Sequence, residues 1–261
     1  MFQVDAFTDR VFSGNPAAVL LLEHGLADTT MQSIAQENNL AETAFALKRS
    51  NGEWDLRWFT PVHEVDFCGH ATLATAHVIM TETDAADPLV FHTRVGTLQV
   101  TRVDGGYCLD VPRLLPDPIE ALPLELDGVF PTSPPRIFKN FENIFADLGG
   151  ADAVRSFEPD VSRIARLGSI GLAVTGRDTS ASRAHFVSRY FVPGAGIPED
   201  PVTGSIHATL VPYWADRIGL TKLTAFQASA RGGWLDCELV GDRVKLTGGA
   251  VTFMEARLFL P

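Results

Sequence analysis

Two stretches of the chain, DFCGHATLATAHVIMT (Asp66–Thr81) and DPVTGSIHATLVPYWADRI (Asp200–Ile218), follow one order: an aspartate, a turn holding a glycine (Gly69, Gly204), then a helix that is apolar nearly all round. A helix without a polar face is expected to be wrapped on every side by other structure. Upstream of each turn lies an aromatic run closed by proline, Leu56–Pro61 and Ser188–Pro193, which reads as a strand ended by a residue that cannot continue a central ladder. Downstream come short alternating segments, 89–92, 97–103 and 107–111 in the first copy, and 224–229, 234–240, 243–247 and 251–260 in the second. Period-two alternation with Gly-Gly or Gly-Asp turns marks hairpins. Helical stretches at 31–38 and 161–167 match around Ile34-Ala35 and Ile164-Ala165. The copies are offset by roughly 130 to 137 residues, so the chain is expected to be an internal repeat.

The pattern predicts an α+β fold of two pseudo-symmetric domains, each a curled mixed β-sheet or barrel around a central α-helix. The expected domains are residues 1–117 and 118–261, with a last strand at about 250–261 packing back onto the first. The proline-rich stretch Pro112–Pro135 reads either as the linker or as an edge segment laid over one domain.

Composition narrows the function. With 261 residues, 46% of them hydrophobic, the chain can build two modest cores. No run of 18 apolar residues appears, and the N-terminal MFQVDAFTDR lacks both a basic and a greasy region, so neither a membrane span nor a leader is expected. The net charge of -11, without a basic block, opposes binding to phosphate backbones, and nucleic acid is excluded as a partner. Cys68, Cys108 and Cys237 form no CxxC pair, which suggests neither a disulfide framework nor a zinc site and fits a reducing cytoplasm.

The two glycine turns place free backbone N–H groups and the positive end of a helix dipole together, once in each half, which is how an anion is bound. Around them lie groups able to carry protons: Asp66, His70, Asp200, Ser205 and His207. Asp66 and Ser205 taken singly read as helix caps. An imidazole at a helix N-terminus is expected to be kept neutral by the dipole, able to polarise a carbonyl. Glu42 is the one carboxylate in the apolar stretch Asn38–Leu47, exposed on a strand face or turned inward; the matching stretch Ser169–Val174 has none. Desolvation pushes a carboxyl toward the neutral form, which suits a group that must both take and return a proton.

Four ordered motifs carry a family resemblance over the whole chain: Val4–Phe7 with Phe12–Ala17, Asn39–Phe45, Asp66–Thr72 and Glu199–Ser205. The chain resembles the PhzF-like (phenazine biosynthesis-like) proteins, within the diaminopimelate-epimerase fold. The resemblance implies two barrel-like domains with the active site in the cleft between them, no cofactor, and often a homodimer; no metal is expected. It also implies that Glu42 shuttles a proton between carbons, that His70, Asp200, Ser205 and the backbones of Gly69 and Gly204 line the substrate site, and that Asn15 helps shape it. Racemases of the wider fold use two opposed cysteines, one before each glycine. Here Cys68 keeps the first place and Thr203, whose hydroxyl is a very poor base, stands in the second.

The expected function is therefore a cofactor-independent isomerase moving a proton on a small carboxylate-bearing substrate, with Glu42, His70 and Asp200 catalytic and Asn15, Cys68, Gly69, Thr203, Gly204, Ser205 and His207 around the substrate. Two alternatives stand beside it: a binding or scaffold protein of the same fold, and an epimerase or racemase using Cys68.

Overall fold

The computed structural model describes residues 1–260. It divides into two compact units, Met1–Val111 together with the segment from Lys245 onward, and Pro112–Val244.

In the first unit, β1 (Phe2–Ala6) pairs antiparallel with β2 (Asn15–Leu22), and α1 (Asp28–Asn38) crosses to β3 (Glu42–Lys48), which runs parallel to β2. Next, β4 (Trp54–Phe59) lies antiparallel to β3 and to the short β5 (Glu64–Val65). A second crossover through α2 (Gly69–Glu82) delivers β6 (Leu89–Thr93) parallel to β4, and β7 (Gly96–Val103) and β8 (Gly106–Pro112) continue as antiparallel hairpins. Parallel neighbours need such helical crossovers, whereas antiparallel ones need only a turn.

The second unit repeats these pairings. Strand β9 (Asp117–Pro118) lies against β10 (Arg136–Lys139), which is antiparallel to β11 (Asn143–Asp147). Short helices α3 (Ala151–Arg155) and α4 (Val161–Ile164) cross to β12 (Gly171–Arg177), parallel to β11. Then β13 (Phe186–Val192) pairs antiparallel with β12 and with β14 (Ile197–Asp200). Helix α5 (Gly204–Ile218) delivers β15 (Lys222–Gln227) parallel to β13, and β16 (Gly233–Val240) follows as a hairpin. After β17 (Arg243–Gly248), β18 (Ala250–Glu255) pairs antiparallel with β1. It stops at Glu255, short of the expected 260, because its partner β1 runs out at Phe2.

Burial explains the sequence pattern. Strands β3 and β12, each between a parallel and an antiparallel neighbour, are covered on both faces and read as continuous buried runs. The later hairpins alternate; β17 is a strict in-and-out strand. Helix α2 is buried from Gly69 to Ala76 and packs against β1, β2, β3 and β18, while α5 packs against β15 and β16. The polar side chains inside α2 satisfy themselves locally: Thr72 donates to the Cys68 carbonyl at 2.6 Å and Thr75 to that of Ala71 at 2.7 Å.

The proline-rich stretch is part of the second unit. Leu126 and Val129 are buried in its core. Pro212, inside α5, has no N–H for the Ala208 carbonyl, and the Leu114 N–H supplies the missing bond at 3.0 Å. Of the expected helix at 161–167, only the first turn is α-helical; Ala165–Leu167 tightens to a 3-10 turn. No helix among the described residues is long and apolar enough to cross a membrane.

Candidate active site

Local structure explains how Glu42 reaches the interior. Helix α1 ends on Asn39 in the left-handed conformation (φ 48°), whose N–H caps the Ala35 carbonyl at 3.1 Å, so the chain reverses and enters β3 at Glu42. Asn15 is set by Gly14, which stands at φ 66° where an added Cβ would lie 2.1 Å from the Ala6 carbonyl oxygen; only glycine fits that approach. Cys68 is the extended N-cap of α2, and His70 sits in its first turn.

These residues meet. The Glu42 Oε2 atom lies 3.1 Å from His70 Nε2, the Asn15 amide nitrogen 3.0 Å from His70 Nδ1, and the Cys68 Sγ 3.5 Å from Nδ1 and 4.0 Å from Nε2. All four are buried. Among the described residues, Oε2 of Glu42 has no partner other than His70. Asp66, by contrast, points outward with its side chain 69% exposed, 3.5 Å from Arg94.

The electrostatics overturn one expectation. Burial works against a charge on His70, but its neighbours Cys68 and Glu42, the carboxylate only 3.1 Å away, outweigh it and hold the imidazole well above its ordinary 6.5. A helix dipole contributes on the order of 1 kcal/mol, whereas an opposite charge at this separation in a desolvated site contributes several times that. His70 is therefore a proton donor paired with Glu42 rather than a neutral polariser. Burial, with the charge of Glu42, pushes the Cys68 thiol up to about 11, so near neutral pH it is protonated.

The second unit carries its own constellation. Thr203 donates its hydroxyl to the Asp200 carboxylate. Gln227 accepts from the Thr203 N–H at 2.9 Å and donates to the Asp200 carbonyl at 2.8 Å and to the Thr203 hydroxyl at 3.1 Å. Ser205 is half-buried one position into α5. His207 lies one turn further in with no exposure, its Nδ1 donating to the Thr203 carbonyl at 2.7 Å and its ring 5.9 Å from that of Phe186. Burial lowers its pKa to about 4, so this imidazole is the neutral one.

Neither glycine turn is closed by a side chain: Cys68 and Thr203 are extended N-caps without a capping hydrogen bond, which leaves the N-terminal amides of α2 and α5 open to an anion. Strand register then shows what the repeat changes. Thr43 opposes Phe59 as Leu172 opposes Phe191, so Gly171 stands where Glu42 does. A Cβ at Gly171 would lie 2.2 Å from the Tyr190 hydroxyl, which donates to Asn143 Oδ1 at 2.8 Å.

Sequence reading missed Gln227 and Asn143, which have no motif around them, and Tyr190, which it read only as part of an aromatic strand. It also missed a matched pair of forks, Arg57 on Glu64 (2.7 and 2.7 Å) and Arg189 on Glu199 (2.7 and 2.9 Å). The signal was present: both arginines occupy the same place in the two aromatic runs. A cavity of about 740 Å³ under the 116–137 segment of the second unit holds none of the candidate residues.

Fold and constellation together define an isomerase built on the epimerase scaffold. Residues 4–112 and 118–256 match the model of the PhzC-PhzF family, the phenazine biosynthesis-like proteins, and the chain belongs to that family. It is 45% identical to an isomerase of Pseudomonas aeruginosa described as uncharacterized, over 100% of this chain and 98% of the relative. The crystal structure of a PhzF-family protein from Enterococcus faecalis superposes with a TM-score of 0.92 at 43% identity, covering 99% of this chain and 98% of that one. At the level of fold alone, a Pseudomonas aeruginosa protein described as a predicted epimerase superposes with a TM-score of 0.73 at 20% identity, covering 100% and 99%.

Proposed function

We propose that this protein is a cofactor-independent isomerase that moves a proton between two positions of a small carboxylate-bearing molecule, with Glu42 as the single group that takes the proton and returns it. The observation that carries the reading is the buried Glu42 carboxylate, whose Oε2 lies 3.1 Å from His70 Nε2 and has no other partner. A carboxylate so placed is a base, and its neighbour stabilises the charge that develops next to the abstracted proton. Within the first unit, the open helix-end amides from Gly69 at the start of α2, beside Glu42 and His70, are suited to meet the substrate carboxylate.

The thiol route is disfavoured on two counts. Cys68 is protonated near neutral pH, and the Thr203 hydroxyl that stands in the second thiol's place is committed to Asp200. A pair of bases on opposite faces of one carbon is thus not assembled from these residues, whereas a shuttle along one face needs only Glu42.

The test is proton NMR in deuterium oxide with a panel of small amino acids, hydroxy acids and dihydroaromatic acids. The expected result is a substrate consumed with a change of double-bond position, part of the product carrying solvent deuterium at the carbon newly bonded to hydrogen and part the substrate's own hydrogen. Exchange with inversion and no change of bond position would replace this reading by an epimerase, and binding without exchange across the panel would replace it by a binding protein.

A further inference from the structure

Three side chains of different chemistry converge in the first unit with nothing in their sequence spacing to announce it. One donor atom each from Glu42, Cys68 and His70 lies within 4.8 Å of the other two, and all three residues are buried. We propose that these residues form a binding site for one divalent cation of the zinc class, and that its occupancy switches the enzyme off.

The donor set selects the ion. A thiolate, an imidazole and a carboxylate suit borderline-soft cations, and a single carboxylate cannot satisfy magnesium or calcium, which prefer oxygen throughout. The spacing fits as well. Bonds of about 2.0–2.3 Å in a tetrahedron place the donors roughly 3.3–3.7 Å apart. The observed 3.1 Å from Glu42 Oε2 to His70 Nε2 and 4.0 Å from Nε2 to Cys68 Sγ bracket that range, and with all three donor atoms within 4.8 Å of one another, side-chain adjustments of up to about an ångström complete the site. Three protein donors leave a fourth position for water or an anion.

Asn15 supplies the second layer that such sites use to orient a ring. Its amide lies 3.0 Å from His70 Nδ1. A half-turn about the Cβ–Cγ bond presents the amide oxygen to an Nδ1 proton, the tautomer that frees the Nε2 lone pair for the cation. On binding, Cys68 and His70 each release a proton to solvent, and the thiolate, carboxylate and divalent cation, with a neutral imidazole, sum to zero charge in a desolvated place. The positive end of α2 opposes the cation and keeps the site reversible. The Glu42 side chain keeps 11% exposure, so the site is not sealed. A bound cation takes the lone pair that Glu42 would use as a base, and inhibition follows.

The binding itself does not depend on the isomerase reading, and the test is optical. Full-length protein stripped with a chelator is titrated with cobalt(II) alone. One equivalent should bind at micromolar concentration, with a thiolate-to-cobalt charge-transfer band and tetrahedral d–d bands, and zinc should displace it. The band should vanish in Cys68→Ser and persist in Cys108→Ser. Glu42→Gln, nearly isosteric, should weaken binding at least tenfold. No thiolate band with wild type under excess cobalt, or the same band in Cys68→Ser, overturns the proposal. Should Cys68→Ser fail to fold, unchanged affinity in folded Glu42→Gln overturns it equally. Failure of the isomerase reading would appear in the NMR panel and leave these spectra untouched.

Discussion

Strand for strand, the unit formed by Met1–Val111 with the C-terminal segment and the unit Pro112–Val244 pair alike, down to the arginine–glutamate fork that ties β4 to β5 and β13 to β14. They differ where chemistry is placed. At the start of the third strand of the repeat one has Glu42 and the other Gly171, whose missing side chain makes room for Tyr190. At the mouth of the central helix one has Cys68 and His70, the other Thr203 and Ser205. One has a buried carboxylate beside an imidazole; the other fills the equivalent space with the hydrogen-bonded ring of Tyr190 and commits the Thr203 hydroxyl to Asp200.

The comparison breaks first at Glu42. Glu42→Gln keeps the shape and removes the base, and turnover of the substrate found by NMR should fall by roughly 10²–10⁴-fold, with the melting transition nearly unchanged. A fall of less than tenfold would make the two units equivalent in function.

The two helix histidines sharpen it. His207 is neutral in the fold down to about pH 4, whereas in the unfolded chain it takes up a proton near 6.5. Acidification through that window therefore favours unfolding and removes about 3 kcal/mol, measurable by denaturant titration at several pH values and absent in His207→Asn. His70 has the opposite sign. Its raised pKa contributes stability that is fully present below 6.5 and lost as pH rises through the folded value, so His70→Asn should flatten the alkaline side instead.

Gly171 comes next. Gly171→Ala drives a methyl into the mostly buried ring of Tyr190 and should cost about 1–3 kcal/mol. A double-mutant cycle with Tyr190→Leu should recover part of that cost; a full, additive loss would show that the ring is not what occupies the space. The smallest effect is expected of Cys68. Because its thiol is protonated near neutral pH, Cys68→Ala should lower turnover by less than about tenfold, that is under about 1.4 kcal/mol of barrier.

How much of this was legible follows from the range of the interactions. The repeat could be read because its signals are local: a glycine turn, an all-apolar helix and an aromatic run closed by proline each lie within a few residues. Glu42 stood out because it interrupts an apolar strand. What lay beyond reach was set by strand register and by contacts between distant positions. Gly171 is an ordinary glycine until Leu172 is known to face Phe191. The proline-rich stretch reads as a linker until Leu114 is seen to replace the hydrogen bond that Pro212 removes from Ala208. The sign of the His70 shift was misread because the helix is local and visible, whereas the Glu42 carboxylate that adds to the opposing effect of Cys68 comes from another strand.

The most direct test of the single-carrier claim is label transfer by the wild-type enzyme. Substrate deuterated at the carbon that loses its hydrogen is turned over in ordinary water, and the product is analysed at early conversion. If Glu42 alone takes and returns the proton, a measurable fraction of the substrate's own deuterium should appear at the new position, carried across by a carboxyl largely shielded from solvent. Product whose new hydrogen comes entirely from water from the first turnover would mean that a second group delivers it, and would contradict the account.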